Sequence, residues 1–362
     1  MPELNELGID DKRNTRARFE QWVKNPQCEA NALSAVLNVK MNEVAKSLGY
    51  NPEYGQSPFA ITRGLQFEGW LFKEEAKVLQ SSLIKTGMLE ESETGLTDLR
   101  LTMNGGSKIK SIDQALEKSL ELIKSIGGAK SKNTPAIVAG LAVRIPKGVM
   151  LPEATLIIDV ALITKVENRH RIRVGEIKVF PDRGGHTDPS EISTARAQAG
   201  VYQHALSLAV DALNLDNPPL VDTTGFLVFT WPGSNSPVIR PNEDLTFQAL
   251  RAEQGFEKLD AMASELVANK PEDFSDHFEW ISHSRTEYKE ACWAFCDLAA
   301  RCQDIAIKED RAIVLGRDAA RLLGTVTVTR ALDLLHGAAP NTDFEKSLQS
   351  QLQESNWEEL NK

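Results

Sequence analysis

Residues Ala154–Val179 read ATLIIDVALITKVENRHRIRVGEIKV, and this stretch decides the fold. Its first part, Ala154–Thr164, is rich in Leu, Ile and Val and short enough to be a strand. Its last part, Arg169–Val179, alternates through Arg171, Ile172, Arg173 and Val174, the period of a strand with two unlike faces. Asp159 sits inside the apolar run, where an acid is costly unless it is paired or ligates a cation. Glu176 and Lys178 are two residues apart, so a strand puts both side chains on one face. Seventeen residues separate Asp159 from Glu176, the reach of a hairpin between adjacent strands. Two carboxylates and one ammonium are therefore expected to converge at one end of a sheet.

Working outward, Ala136–Ile145 is a further apolar strand before the hairpin, and Gly225–Thr230 is another after it, closed by Trp231–Pro232–Gly233. Between them, Asp182–Asp188 is a Gly-rich loop and Ser190–Leu213 a long helix. Upstream, Ser111–Ile126 is amphipathic at helical spacing, residues 15–50 read as helical, and a helix starts near Ser57–Pro58 and runs through Leu71. Residues 72–100 look mostly helical. From Asn242 to Leu335 the pattern is helical again, with breaks near Pro271 and Ser282. The expectation is a mixed α/β core at 135–235, a helical region at 1–134, a second at 236–340, and an acidic tail at 341–362.

The 362 residues are 41% hydrophobic and 25% charged, enough for a real core in a soluble chain. The net charge of −10 argues against a basic coat for non-specific nucleic-acid binding. It leaves room for a narrow basic channel, and carboxylates that hold metals are themselves acidic. No apolar run approaches a membrane span, so no membrane partner is expected. The opening MPELNELGIDDKRNTR is too polar for a signal peptide, and four cysteines are too few for a secreted disulfide scaffold. A reducing, cytoplasmic setting is the expectation. No GxxxxGK[ST] phosphate loop is present.

Phosphodiester hydrolysis needs what the hairpin brings together. Carboxylate oxygens of Asp159 and Glu176, with the carbonyl of Ile177, can hold Mg²⁺ or Mn²⁺. Such a metal lowers the pKa of bound water and neutralises charge in the transition state. Lys178 can orient the attacking hydroxide. The competing reading is a structural acid–lysine pair on a solvated strand face. On the following helix, Gln198 and Tyr202 stand at i and i+4, share a face, and offer amide and hydroxyl groups to phosphates. Arg169, Arg171 and Arg173 surround His170 at the hairpin, either as a grip on a DNA backbone or as a solvated tip. Lys165, Arg183 and Arg196 are further candidates to line a channel, and His186 sits on the Gly-rich loop.

The order strand–Asp159–strand–Glu176-x-Lys178–helix resembles the PD-(D/E)XK nucleases, and Gln198-x-x-x-Tyr202 resembles the RecB-type branch of that superfamily. The resemblance implies a restriction-endonuclease-like core sheet wrapped by helices. It also implies a Mg²⁺- or Mn²⁺-dependent deoxyribonuclease acting on single-stranded DNA, beside a helicase or within a repair or defence complex. The segment ITRGLQFEGWLF is similar to the glycine-containing helix that supplies an extra metal-binding His in this branch; here Glu68 occupies that place. A relative of this fold that grips nucleic acid without cutting is the alternative.

Cys28 stands alone, and Cys292, Cys296 and Cys302 cluster as C-x3-C-x5-C. This one-plus-three pattern resembles the iron–sulfur nucleases of the RecB-type branch, such as the AddB nuclease domain and CRISPR-associated exonucleases, and implies a [4Fe–4S] cluster on four thiolates. Those families carry x2 where this chain has x3. Zinc on four cysteines, or buried thiols in an apolar helix over ACWAFCDLAARC, are the other readings. A third functional reading makes an iron–sulfur group a redox sensor on this scaffold.

Overall fold

The computed structural model describes residues 15–51, 58–106, 108–127, 134–145, 154–268, 276–289, 292 and 295–354. The expected cap Ser57, the break near Pro271 and residues 355–362 of the acidic tail lie outside them.

The elements run in chain order as follows. First come α1 (Thr15–Lys24), α2 (Glu29–Val36), α3 (Met41–Ser47), α4 (Pro58–Leu71) and α5 (Lys73–Lys85). Then come β1 (Leu96–Asp98), α6 (Ile112–Ile126), β2 (Ile137–Ile145), β3 (Ala154–Val166) and β4 (Arg169–Pro181). The middle of the chain continues with α7 (Pro189–Ala212), β5 (Leu220–Val221), β6 (Thr224–Thr230), β7 (Pro237–Asp244) and α8 (Thr246–Ala268). The last helices are α9 (His277–His283), α10 (Ala299–Lys308), α11 (Arg317–Leu323), α12 (Val328–Leu335) and α13 (Asp343–Glu354). The protein is mixed α/β, and no helix among the described residues is long and apolar enough to cross a membrane.

The seven strands form one mixed sheet in the order β1-β2-β3-β4-β6-β7, with β5 also pairing β4. β2, β3 and β4 form an antiparallel meander, whereas β4 and β6 are parallel and joined by a crossover through α7. β4 therefore lies in the sheet interior, flanked by β3 and β6, which is why its apolar residues are covered on both faces. On one face Phe67 and Leu71 of α4, with Leu79 and Leu83 of α5, pack in a buried cluster with Val160, Ile177, Phe226 and Val228. On β2, the amide of Ala142 is met by the hydroxyl of Ser119 from α6, at 2.8 Å.

The chain divides into two compact units. One is built mainly from Gln56–Ser264 and holds the whole sheet; the other joins Ala17–Gly55 to Glu265–Lys362 and is helical. The boundaries differ from the expected 1–134, 135–235 and 236–340. The sheet takes in β1 before residue 135 and β7 after 235, and α4 to α6 belong with it because their apolar faces have the sheet to cover. Part of the stretch read as helical at 72–100 is β1, and the helical reading from Asn242 begins inside β7.

In the helical unit the two ends of the chain are stitched by side chains. Asn31 Nδ2 donates to carbonyls of Gln21, Trp22 and Asn25, fixing the α1–α2 corner. Asn25 Nδ2 donates to Glu287 O at 2.6 Å, and the Tyr50 hydroxyl to Asp304 at 2.8 Å. Leu334 and Leu348 bury the contact between α12 and α13, closed by a two-pronged Arg330–Glu345 pair.

Candidate active site on the central strands

The β3–β4 register pairs Val160 with Gly175, so one step further Asp159 faces Glu176 across the ladder. Side chains of directly opposed residues leave the sheet on the same face. Asp159 Oδ2 accepts the amide N–H of Ile177 at 3.1 Å, and Oδ1 accepts the hydroxyl of Tyr202 at 3.1 Å. Glu176 is fully buried, and Lys178 Nζ lies 2.6 Å from its Oε1. Lys178 keeps 24% of its side-chain surface exposed, so the ammonium bridges the buried acid and solvent. A buried carboxylate demands such a partner or a cation, because desolvation of an unpaired charge costs several kcal/mol.

α7 carries Tyr202 to this point. Asp188 caps the helix by accepting the amide of Ser190 at 2.8 Å, and Pro189 follows in the first turn. Its buried stripe is mostly small, with Ala195, Ala199 and Ala205 flanking a fully buried Tyr202. Gln198, one turn before Tyr202, is half-buried. On β4, Gly175 is required by its neighbour: a Cβ there would stand 2.3 Å from the ring of Phe226, the residue opposite it on β6.

Beyond β4 the chain turns through an ordered loop. Asp182 is fully buried and accepts from Gly185 N at 2.6 Å, Thr187 Oγ1 at 2.9 Å and Arg240 Nη1 at 3.2 Å. Burial alone raises its pKa, but these donors outweigh it and hold the carboxyl below the usual range. Arg240 also reaches Glu243 at 3.2 Å, and Glu243 receives Arg196 at 2.5 Å. Asp182, Arg240 and Glu243 escaped the sequence reading. The signals were present: an acid ending an apolar strand before Gly184–Gly185, and an Arg–Glu spacing of three on β7.

No family model, curated protein or solved structure matches the chain.

The basic residues of the hairpin have partners within the chain. Arg171 and Arg173 converge on Asp222, at 3.4 and 3.1 Å, and Arg169 donates to the carbonyl of Pro218 at 2.7 Å. His170 ties the hairpin down, with Nδ1 2.8 Å from Ile126 O and Nε2 3.2 Å from Thr134 Oγ1. These contacts anchor the β3–β4 hairpin. Arg196 is likewise engaged by Glu243, whereas Arg183 and His186 are exposed on the loop.

Among the described residues no three His, Cys, Asp or Glu side chains are gathered into a group that could hold a metal ion. The resemblance implies Glu68 as a further ligand beside Asp159 and Glu176. Glu68 is carried by α4, whose neighbours Phe67 and Leu71 pack with Ile177 and Val160, residues that alternate with the two acids and point to the other face. The donors on the hairpin itself are two carboxylates and the Ile177 carbonyl between Glu176 and Lys178. All are hard oxygens, the chemistry that suits Mg²⁺ or Mn²⁺.

All four cysteines belong to the helical unit. They are buried and free, and they line one small cavity of about 10 Å³. Cys302 lies on α10, whereas Cys292 has 3-10 geometry and Cys296 lies in the irregular stretch before α10, its amide donating to the Cys292 carbonyl at 2.8 Å. Asn25 Nδ2 and Lys289 N both point at Cys292 Sγ, at 3.5 and 3.3 Å. Burial and the neighbouring sulfur atoms push the Cys302 thiol up to about 11, and Cys292 and Cys296 shift the same way. Four soft donors line one cavity, which is the donor chemistry of an iron–sulfur or zinc group. Among the described residues they are not gathered into a metal-holding set, so such a group would have to draw the sulfur atoms together as well as displace these protons.

Proposed function

We propose that this chain is a metal-dependent nuclease of the PD-(D/E)XK type, RecB-like, hydrolysing phosphodiester bonds of DNA with single-stranded DNA as substrate. One observation carries the reading. Asp159 and Glu176 face each other on adjacent strands, Lys178 pairs with the buried Glu176, and Tyr202 of the next helix holds Asp159. Asp159, Glu176 and the Ile177 carbonyl would hold Mg²⁺ or Mn²⁺, which when bound supplies Lewis acidity and a more acidic water. The Tyr202 hydroxyl and the Ile177 amide fix the orientation of the Asp159 carboxylate. Lys178 offers a positive charge and donors where negative charge grows on the phosphate oxygens. Gln198, a turn from Tyr202 on α7, would offer its amide to the strand.

In the same reading Cys28, Cys292, Cys296 and Cys302 hold a [4Fe–4S] cluster, with zinc as the rival on identical donors. What supports this is that all four line one cavity formed by the two ends of the chain. Work beside a helicase or in a repair or defence complex belongs to the proposal.

The test is cleavage of end-labelled single- and double-stranded DNA with Mg²⁺, Mn²⁺ or EDTA, for wild type and Lys178→Ala. Metal-dependent cutting by wild type, lowered at least about 100-fold in the variant, is expected. Equal cutting by both proteins overturns the assignment. Binding without any metal-dependent cutting points to the silent DNA-binding relative instead.

A further inference from the structure

The helical unit holds a second cavity, open to solvent, of about 620 Å³. That is the size of a small-molecule cleft, commonly about 300–1,000 Å³. Four arginines line it: Arg285, Arg301, Arg311 and Arg317. Two glutamates, Glu287 and Glu309, share the lining, leaving an excess of two positive charges. Glu309 is spent on Arg311, 3.0 Å away. Arg301 is held in place by its Nη2, which donates to the Ser282 carbonyl, while its Nη1 is buried and makes no hydrogen bond among the described residues. Arg301 as a whole is half-buried and lines the cavity, so part of its side chain is reachable from solvent. The planar, permanently charged guanidinium suits phosphate oxygens in particular. The lining is not only basic. Ile305, Ile313 and Val314 add an apolar wall, and Ile313 is 49% exposed.

We infer that this cavity binds a phosphate-bearing ligand with an organic body, whose phosphate sits on Arg301 with Arg285 and Arg317, and whose apolar part lies against Ile305 and Ile313. A free nucleotide and a stretch of nucleic-acid strand share this chemistry. The site stands on residues of the helical unit alone and is independent of Asp159, Glu176 and Lys178. The segment Thr286–Glu287 lines both this cavity and the cysteine cavity, so the two sites share a wall.

The experiment is titration of the full-length protein, in EDTA so that no strand is cut, with inorganic pyrophosphate, dATP and the oligonucleotide dT12. Wild type is expected to bind dATP or dT12 more tightly than pyrophosphate. The Arg301→Gln/Arg317→Gln double variant is expected to weaken that binding at least about tenfold. Equal affinity for dATP and dT12 assigns a nucleotide; binding of dT12 alone assigns a strand. Because Arg301 also supports the Ser282 turn, Arg285→Gln/Arg317→Gln is measured in parallel. It leaves that turn intact and is expected to show a loss of similar size. Failure of wild type to bind dATP and dT12, or unchanged binding in both double variants, overturns the inference. Cleavage by the sheet unit is read separately and does not bear on this result.

Discussion

The sheet unit buries long apolar strands, with Ile137–Val143 of β2, Ile158–Ile163 of β3 and Phe226–Phe229 of β6 almost wholly covered. Among the described residues the helical unit has nothing comparable. Its helices run from seven to twelve residues, short enough to be marginal without tertiary support, and its ends meet around four buried thiols and a set of Asn and Tyr hydrogen bonds. The first unit has the means to stand on packing alone. The second joins segments more than two hundred residues apart, so it has the most to gain from a metal group that ties them.

That contrast can be broken in two directions by calorimetry, where each unit is expected to show its own transition. Cys296→Ser should have the larger effect. If the four thiols hold a cluster, the variant loses its iron and the helical transition falls sharply or disappears, while the sheet transition stays. A protein that keeps both transitions within a degree of wild type would mean inert thiols. Gly175→Ala should act the other way and more weakly. Its new methyl group meets the buried Phe226 ring, which should cost the sheet transition about 1–3 kcal/mol and leave the helical one alone. A shift of the helical transition by Gly175→Ala would show that the units do not melt independently.

The same contrast explains what was legible in the sequence. β2, β3, β4 and β6 announce themselves because buried strands need runs of Val, Ile and Leu. β1 and β7 do not: LTD is three residues long, and PVIRPNED is an edge strand whose prolines and charges suit an unpaired side. The acid–lysine set was readable because its members lie on one hairpin. The employment of Arg169, Arg171 and Arg173 was not, since their partners Pro218 and Asp222 lie about fifty residues on and only the β4–β5 pairing brings them near. The packing of α4 was not legible for a related reason: helical periodicity shows that α4 is amphipathic but not which face of the sheet it covers. In the cysteine region apolar composition suggested one helix, whereas the chain turns before α10.

The account rests on Asp159 and Glu176 sharing one hard cation, and Mn²⁺ titration monitored by calorimetry tests this without relying on turnover. Wild type and Glu68→Gln should each bind Mn²⁺ with the same affinity, and Asp159→Asn should weaken that binding by at least about tenfold. Unchanged Mn²⁺ affinity in Asp159→Asn, with the fold intact by circular dichroism, would contradict the account.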